Sequence, residues 1–379
     1  MKTMKVLLLT PSLQRPGGIQ RYALTMARAL KGLLGEQSVR CVELNEDSIR
    51  QGMARPSALA KWRFVWQAVR QGVGWRPDLV ICLHLALGPV AWLVAGLGLR
   101  PYWIVVHGIE AWVHPPFMKR RALHGADRVI VTSRFNLEQI LRGRRVEPER
   151  VVRLPCALDE TLTTVQPADA GPHQSLAAGQ PVVLTVARMD ASEQYKGHDV
   201  ILRALPSVLT RVPSLVYVVV GEGDDRARIE GLADSLGLRP HVMFTGRVSD
   251  AELVALYNRS DVFALPAQTV ITSHEAKGEG FGIVFLEAMA FGKPVIGPIF
   301  GAPTEFIRHG ENGLLVNPAS ETSVAGALVE LLTNPEKCRE LGKAGSQWVR
   351  QSCSYDAFCE RLGGMLPYSQ DQEPIDNRQ

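Results

Sequence analysis

Two cations in the second half of the chain have the types and the spacing to bind a diphosphate. Arg188 and Lys196 lie in one segment directly after the apolar run at 182–187. Arginine offers a planar fork of donors and lysine a compact point charge, and both groups suit phosphate oxygens. We predict that the two side chains converge on one diphosphate and offset the charge that builds on it as it leaves.

Two carboxylates accompany a glycine-rich turn in the motif at 278–290. The turn leads into an apolar run of helical length, and the first N–H groups of a helix form an anion site at the positive end of its dipole. Glu279 precedes the turn and is expected to face the group attached beyond the phosphates. Glu287 lies inside the predicted helix, where its carboxylate can accept hydrogen bonds from ribose hydroxyls.

The first half carries candidate residues after two of its apolar runs. Gly17 and Gly18 follow the run at 5–10, and paired glycines let the backbone approach a ligand closely. His107 and Glu110 stand at the end of the run at 103–107. From the residues alone, a plain tight turn and a structural histidine remain open as alternatives.

The elements that must position these residues are short valine, isoleucine and leucine runs separated by segments of helical length. Continuous rather than alternating runs indicate strands buried on both faces, as in a parallel sheet covered by helices. The runs lie at 5–10, 39–44, 78–84, 103–107, 128–132 and 151–154, and again at 182–187, 215–220, 242–245, 261–265, 294–297 and 313–316. We predict an α/β protein with two Rossmann-like, doubly wound domains that face a cleft.

The segment at 166–181 is poor in large apolar side chains and is predicted to link the two domains. We expect an N-terminal domain over 1–170 and a nucleotide-binding domain over 171–350. The remainder, 351–379, is expected to form a helix that packs back toward the N-terminal domain. A polar tail at 369–379 follows and is predicted to be disordered.

The balance of charged residues differs between the two predicted domains. Residues 1–170 hold 24 Lys and Arg against 13 Asp and Glu, whereas the remaining residues hold 18 against 25. The basic excess suggests that the first half faces an anionic partner such as a membrane, a nucleic acid or an acidic substrate. Two domains that merely differ in charge remain the alternative.

Cysteine usage and the apolar stretches bear on the compartment. The six cysteines show no metal-ligand spacing, which is typical of a reducing compartment, and we expect a cytoplasmic protein. The run at 6–9 is too short for an export signal and is predicted to be the first strand. The stretch at 85–99 is too short to cross a bilayer and is predicted to be a helix that covers a sheet.

Several ordered motifs together resemble the C-terminal domain of family 4 glycosyltransferases, which are retaining enzymes of the GT-B fold. The motifs are Arg188 with Lys196-Gly197, Val-Val-Gly-Glu-Gly at 219–223, Phe-Thr-Gly at 244–246, the segment at 279–295 with its two glutamates, and Gly-Glu-Asn-Gly-Leu-Leu-Val at 310–316. The resemblance is dense over 180–350 and looser in the first half.

The resemblance implies roles for the candidate residues. It assigns catalysis to His107, Glu279, Arg188 and Lys196, with His107 contacting the donor sugar and Glu279 positioning it. The residues that it implies for nucleotide and donor binding are Gly17, Gly18, Arg188, Lys196, Gly221, Gly246, Val248, Gly280, Phe281, Gly282, Ile283, Val284 and Glu287. The candidate acceptor contacts are Arg21, Tyr22, Glu110 and Arg134.

The implied reaction moves a hexose of the mannose or glucose type from a GDP- or UDP-linked donor, with retention of configuration. The acceptor is a hydroxyl of a glycan or lipid-linked molecule, in cell-surface polysaccharide or glycolipid biosynthesis. The chain has no Asp-x-Asp motif, so we expect metal-independent activity without a cofactor besides the donor. Because no well-placed nucleophile is apparent, we expect front-face departure and attack, with the leaving phosphate taking the acceptor's proton.

Other functions are less consistent with the motifs. A nucleotide-sugar epimerase of the same fold is the main alternative, although the glutamate pair with Arg188 and Lys196 favours transfer. A nucleic-acid-binding protein would carry aromatic-plus-basic strand motifs, which are missing, so no nucleic-acid partner is expected. A dinucleotide oxidoreductase would need Gly-x-Gly-x-x-Gly after the first strand, and Gly17-Gly18 does not supply that motif.

Mixed aromatic and cationic residues at 62–76 and 117–121 bear on membrane contact. Such segments are typical of the membrane interface, and they equally fit solvated helix faces over an ordinary core. The resemblance adds weight to a peripheral contact with an anionic membrane, on the inner face of the cell membrane. Both readings stay open on the sequence alone.

Overall fold

The structure is a computed structural model that describes residues 4–13, 17–44, 56–143, 146–272 and 274–367. The chain divides into two compact units. The first comprises Met1–Ala157 together with Tyr355–Gln379, and the second is Leu158–Ser354.

Within the described residues, the first unit is built on a six-stranded sheet. Its strands are β1 (Val6–Thr10), β2 (Val39–Glu43), β3 (Leu79–Cys82), β4 (Tyr102–Val106), β5 (Arg128–Val131) and β6 (Val151–Arg153). They pair in parallel in the order β2-β1-β3-β4-β5-β6. Every residue of β1, β3 and β4 is buried, which confirms the strands predicted from continuous apolar runs.

Helices cover this sheet and bury apolar side chains against it. They are α1 (Gly18–Leu34), α2 (Ala58–Gly74), α3 (Gly88–Gly98), α4 (Ile109–Trp112), α5 (Phe117–Gly125) and α6 (Arg134–Arg142). In α2, for example, Phe64, Ala68 and Gly72 are buried at helical spacing. The stretch predicted as a covering helix at 85–99 is α3, preceded by a short 3-10 turn.

The second unit repeats the same plan. The strands of its large sheet are β7 (Val182–Val186), β8 (Val216–Val220), β9 (Val242–Gly246), β10 (Val262–Ala264), β13 (Val295–Pro298) and β14 (Gly313–Val316). They pair in parallel in the order β14-β13-β10-β7-β8-β9. The segment before the glycine-rich turn forms a small antiparallel pair, β11 (Val270–Ile271) with β12 (Ala276–Lys277).

The helices of the second unit alternate with these strands, as the segments of helical length between the apolar runs predicted. They are α7 (Glu160–Thr164), α8 (His198–Leu209), α9 (Arg226–Ser235), α10 (Asp250–Arg259), α11 (Ile283–Ala290), α12 (Glu321–Leu332) and α13 (Pro335–Ser352). Helices α8 and α12 pack together, and their buried leucines and valines join the core under the sheet. The α/β class with two doubly wound parallel sheets is therefore confirmed.

The last helix, α14 (Tyr355–Met365), belongs to the first unit. The ring of its Phe358 lies edge-on to Tyr22 of α1, with the centroids 5.7 Å apart. Arg128 of β5 also donates a hydrogen bond of 2.8 Å to the carbonyl of Met365. The predicted polar tail at 369–379 lies outside the described residues.

The change of unit falls between Ala157 and Leu158 rather than at the predicted 170/171 boundary. The segment at 166–181 is part of the second unit, where the N–H of Ala168 donates to the carbonyl of Ala251 at 3.0 Å. A low content of large apolar residues therefore marks a surface segment that rests on α10. In the described part of the chain, no helix is both long enough and apolar enough to span a bilayer.

Candidate active site

The segment that follows β7 carries both predicted cations and is held in place at several points. Residues Ala191–Lys196 form a 3-10 turn, and the N–H of Ala191 donates to Asp224 Oδ1 at 2.7 Å. At its end, Gly197 has φ +87° and lies so near the carbonyl of Pro266 that a Cβ atom would be 2.5 Å from that oxygen. Only glycine fits there, so the backbone next to Lys196 is fixed by a close approach.

Gly221 and Gly223, after β8, allow a second close approach to the same segment. A Cβ atom on Gly221 would lie 2.0 Å from the carbonyl oxygen of Ala187, and one on Gly223 would lie 2.1 Å from that of Met189. The N–H of Met189 donates to the carbonyl of Glu222 at 2.9 Å. Gly221, predicted as a donor-binding residue, thus lies where it supports the backbone beside Arg188.

Lys196 and Glu279 meet in the structure. The Lys196 ammonium donates a hydrogen bond to Glu279 Oε1, and the two side chains are only 14% and 12% exposed. The Lys196 Nζ also lies 5.3 Å from the centroid of the Tyr195 ring. The sequence motifs therefore bring a cation of the first motif against the carboxylate of the second, as expected for one shared site.

Arg188 is more exposed to solvent than Lys196 and Glu279, with 68% of its side chain accessible. Its guanidinium donates to Glu193 Oε1 and lies 3.2 Å from Asp190 Oδ2. Glu193 in turn lies 3.9 Å from Lys196 Nζ through its other oxygen. The two predicted cations are thus linked by one carboxylate that the sequence analysis did not single out.

The glycine-rich turn leads into α11 as predicted. Gly282 has φ +95° and caps the helix, and a Cβ atom there would lie 2.7 Å from the Phe285 ring. Ile283 and Val284 open the helix, so their N–H groups lie at its positive end. Gly280 precedes this turn, whereas the Phe281 ring is buried against Phe306 with centroids 5.2 Å apart.

Glu287 lies on α11 with only 2% of its surface exposed. The hydroxyl of Tyr257, a buried residue of α10, donates to Glu287 Oε2 at 2.9 Å. Burying a carboxylate is costly unless it is hydrogen-bonded, so this contact fixes the Glu287 side chain.

His198 is a buried residue that contacts the backbone of the segment carrying Arg188 and Lys196. It is 2% exposed and lies next to Lys196-Gly197 at the start of α8. Its Nε2 donates to the carbonyl of Arg188 at 3.4 Å, and burial lowers its pKa to about 4. His198 is therefore neutral at physiological pH and ties the two ends of the cationic segment together.

Asp199 and Asp225 both bind Arg228, and Asp225 also contacts the segment that carries the two cations. Arg228 makes two hydrogen bonds to Asp199, of 2.6 and 2.9 Å, and two to Asp225, of 2.7 and 2.6 Å. Gln194 also donates to Asp225 Oδ1 at 3.3 Å. Hydrogen bonds from Arg228 lower the pKa of Asp225, so this carboxylate stays ionised.

The remaining predicted residues of the second unit lie at the end of β9. Gly246 has φ +70° and accepts a hydrogen bond of 3.0 Å from the N–H of Gly221. Val248 is half-buried in the loop that follows. This loop lies beside the glycine motif after β8, at the carboxyl edge of the sheet.

In the first unit, His107 ends β4 and is held by its neighbours. Its ring Nε2 donates to the carbonyl of Leu83 at 2.8 Å, which leaves Nδ1 as the acceptor nitrogen of the ring. The backbone N–H of His107 donates to Glu110 Oε1 at 2.6 Å. Burial lowers the pKa of His107. Glu110, predicted as an acceptor contact, is therefore bonded back to the strand end.

A second histidine, His84, lies near His107 at the end of β3. The two rings are stacked with centroids 6.0 Å apart, and burial lowers the pKa of His84 to about 4. His84 Nδ1 accepts from the N–H of Ala86 at 3.0 Å. His84 was not among the predicted site residues, although its position at the end of the apolar run at 78–84 was an available signal.

The other candidates of the first unit occupy different environments. Tyr22 is buried, donates to the carbonyl of Leu154 at 3.2 Å and lies edge-on to His107 at 5.2 Å. Arg134 is exposed and pairs with Glu138 at 3.2 Å. Gly17 caps α1, Gly18 opens it, and Arg21 lies in its first turn, where its N–H donates to the carbonyl of Gly17 at 3.0 Å.

Among the described residues, no group of three or more His, Cys, Asp and Glu side chains is arranged to hold a metal ion. Independence of metal stays a prediction.

Two family models match the chain. Residues 172–348 match the model described as glycosyl transferases group 1, and residues 16–162 match the model described as glycosyltransferase family 4. One match lies largely in each unit, and together they include all of the predicted site residues.

Curated relatives include two mycobacterial enzymes described as GDP-mannose-dependent alpha-(1-6)-phosphatidylinositol monomannoside mannosyltransferase. The Mycolicibacterium smegmatis enzyme is 30% identical over 287 residues, which are 74% of this chain and 72% of the relative. The Mycobacterium tuberculosis enzyme is 37% identical over 187 residues, which are 49% of this chain and 47% of the relative. The alignment thus spans about half the length of the latter.

Among solved structures, the Anabaena protein HepE in complex with UDP and glucose is similar in fold. The comparison has a TM-score of 0.77 at 20% identity and covers 96% of this chain and 100% of that one. At this identity the likeness speaks for the fold alone, and it confirms the expected GT-B fold.

Proposed function

The chain belongs to the family 4 glycosyltransferases, and we propose that it moves a hexose from a nucleoside-diphosphate sugar to a hydroxyl of a glycan or lipid-linked acceptor. The proposal includes retention of the anomeric configuration and a place in cell-surface polysaccharide or glycolipid synthesis. The observation that carries it is the contact between Lys196 and Glu279, which joins the segment of Arg188 to the glycine-rich segment that leads into α11.

Each of these groups has a distinct part in the proposed reaction. Arg188, Lys196 and the N–H groups of Ile283 and Val284 stabilise the negative charge that grows on the departing diphosphate. Glu279 positions the donor sugar, and Glu287 accepts hydrogen bonds from the ribose hydroxyls. The acceptor hydroxyl attacks the anomeric carbon on the face that the diphosphate leaves, and its proton passes to a diphosphate oxygen.

The donor that we propose is GDP-mannose, with a UDP-linked glucose as the second choice. Two curated relatives are described as GDP-mannose-dependent, and a solved structure of the same fold holds UDP and glucose. No metal or cofactor besides the donor is part of the proposal. His107 is proposed to contact the donor sugar through its Nδ1, since Nε2 is bonded to Leu83.

We also propose that the first unit docks on the cytoplasmic face of an anionic membrane. Helix α2 exposes Leu59, Trp62 and Trp66 at spacings of three and four residues, and the guanidinium of Arg70 lies 5.0 Å from the Trp66 ring. The sequence from 56 to 125 holds eight Lys and Arg against two Asp and Glu. Exposed aromatic and cationic side chains on one helix face suit the interface of an anionic bilayer.

A thermal-shift panel with GDP, UDP, ADP and NAD tests the proposed donor class. A ligand raises the melting temperature only if it binds the folded protein, so GDP or UDP should stabilise the chain and NAD should not. Incubation with GDP-mannose alone then separates the alternatives. An epimerase would release a modified sugar without an acceptor, whereas a transferase requires one.

Flotation with anionic liposomes tests the docking. We expect salt-sensitive binding that is weakened by the Trp62→Ser, Trp66→Ser double variant. An Ile299→Ser variant, which changes an exposed apolar residue of the second unit, serves as the control. Absence of binding at low salt would exclude the membrane part of the proposal and leave the transfer reaction untouched.

A further inference from the structure

Glu193 lies between the two cations proposed to hold the diphosphate. Its Oε1 accepts a hydrogen bond from the guanidinium of Arg188. Its Oε2 lies 3.9 Å from the ammonium of Lys196. One carboxylate thus spans the positions that two diphosphate oxygens would occupy, because both ligands are anions that recognise the same pair of donors.

The surroundings of Glu193 differ from those of a structural carboxylate. The side chain is only 13% exposed, and its Oε2 is buried and accepts no hydrogen bond within the described part of the chain. Buried polar atoms in folded proteins are nearly always hydrogen-bonded, and an unsatisfied one is costly. A carboxylate needed only for stability would have both oxygens bonded, as Asp225 has through Arg228 and Gln194.

The local charges cannot accept a diphosphate without a rearrangement. Asp190, Glu193 and Glu279 place three carboxylates against the two cations Arg188 and Lys196. Adding a diphosphate to this group would bring further negative charge into a partly buried place, where like charges repel strongly. One carboxylate must therefore leave its cations or take up a proton when the donor binds.

We propose that Glu193 is an internal counter-anion for the donor site, which holds Arg188 and Lys196 in the empty protein and yields them to the diphosphate. This inference rests on the proposed function. Glu193 is the member that faces both cations, since Asp190 pairs with Arg188 alone and Glu279 with Lys196 alone. After transfer, Glu193 competes again for the cations and promotes release of the nucleoside diphosphate.

The protonation of Glu193 supplies an independent signature. Burial raises the pKa of Glu193, against the opposing effect of Lys196 and Arg188, and the neighbouring Glu279 and Asp190 raise it further. Acidification therefore neutralises Glu193 before an ordinary carboxylate and frees the cations. The donor affinity of the natural protein should rise as the pH falls through the pKa of Glu193. The Glu193→Gln variant should lack that rise.

Calorimetric titration of the full chain with GDP-mannose and with UDP-glucose, in the absence of acceptor, tests the inference. These probes are suitable because a diphosphate esterified at both ends does not titrate in the range used. We expect Glu193→Gln to bind the better of the two probes at least about tenfold more tightly at pH 7.5, equivalent to about 1.4 kcal/mol. The advantage should shrink at pH 5.5.

Glu330→Gln is the matched control, because Glu330 also pairs with a lysine, Lys337, but on the surface of α12. It should bind the probe as the natural protein does at both pH values. If Glu193→Gln folds poorly, Glu193→Asp is the variant to test. Its shorter side chain keeps the negative charge but lies further from Arg188 and Lys196. Its affinity should exceed that of the natural protein by a smaller factor.

Equal or weaker binding by the folded Glu193 variants would overturn the inference, and so would an affinity ratio that does not change with pH. If the natural protein binds the probe and the variants fail in this way, only the role of Glu193 is refuted. If the natural protein binds no nucleoside-diphosphate sugar at all, the proposed function fails together with it.

Discussion

The ammonium of Lys196 donates a hydrogen bond to the carboxylate of Glu279, which lies 83 positions further along the chain. Both side chains are largely buried, so each neutralises a charge that would otherwise be costly. The contact also places a cation against a residue of the glycine-rich segment that leads into α11. The two strongest sequence motifs thus form one electrostatic unit rather than two separate sites.

Replacing the members of this pair should separate binding from turnover. Glu279→Ala should lower turnover by roughly 10²–10³-fold while nucleotide binding persists, because the sugar loses its positioning group and the cations remain. Lys196→Ala should weaken nucleotide binding as well. Transfer assays and calorimetry with GDP measure the two effects, and Lys337→Ala, which breaks a surface ion pair, serves as the control. Near-normal turnover of Glu279→Ala would refute its role.

Gly221→Ala should destabilise the second unit and weaken nucleotide binding. The new Cβ atom would lie 2.0 Å from the carbonyl oxygen of Ala187, so the backbone beside Arg188 must move. We expect a loss of about 1–3 kcal/mol in the free energy of unfolding, measured by urea titration. Gly231→Ala on α9, where a Cβ atom meets nothing within 4 Å, should instead stabilise by up to about 1 kcal/mol. Equal effects of the two substitutions would contradict this assignment.

Tyr257→Phe should affect the ribose site through Glu287. The variant removes a donor 2.9 Å from a buried carboxylate oxygen, which should cost about 1–3 kcal/mol of unfolding free energy. Binding of GDP should weaken, because the Glu287 side chain is less firmly held. Tyr217→Phe is the comparison, since it removes an equally buried hydroxyl that donates to Thr185 at 3.0 Å. That variant should leave nucleotide binding unchanged.

Stability should fall in mild acid because of His198. Burial lowers its pKa in the folded state to about 4 from an ordinary value of 6.5, so the unfolded chain binds more protons between these values. The free energy of unfolding should decrease by about 3 kcal/mol from this residue as the pH falls from 6.5 to 4. Chemical denaturation at several pH values should show a smaller decrease for His198→Gln. His114→Gln, at an exposed histidine, should keep the full decrease.

Removal of divalent metal should leave the proposed transfer intact. Arg188, Lys196 and the start of α11 supply positive charge to the diphosphate without an ion. Turnover of protein dialysed against EDTA should therefore match that of untreated protein, and added Mg²⁺ or Mn²⁺ should change it little. Complete loss of turnover, restored by one of these ions, would show that the reaction needs a metal.

The sequence predicted the strands, helices and parallel sheets because buried βαβ units leave a strong local signal. Continuous apolar runs such as 103–107 need no knowledge of distant residues. The glycine-rich turn before α11 was likewise predictable, since Gly282 adopts a backbone conformation that few other residues tolerate.

The contacts within the site depend on residues far apart in the chain and left weaker signals. Glu193 resembles any loop glutamate until the fold sets it between Arg188 and Lys196. His84 and His107 end different strands and meet only because β3 and β4 are neighbours. Gly221 fits a ligand-binding turn by sequence, and its close approach to Ala187 arises only in the folded protein.

The return of α14 to the first unit makes that unit discontinuous along the chain. During synthesis the strands β1–β6 leave the ribosome first, but Phe358, which covers Tyr22, is made only after the whole of the second unit. The first unit can therefore complete its core only after the second unit has been made. A chain released directly after Ser354 would have a complete second unit, while its first unit would still expose apolar surface to chaperones and proteases.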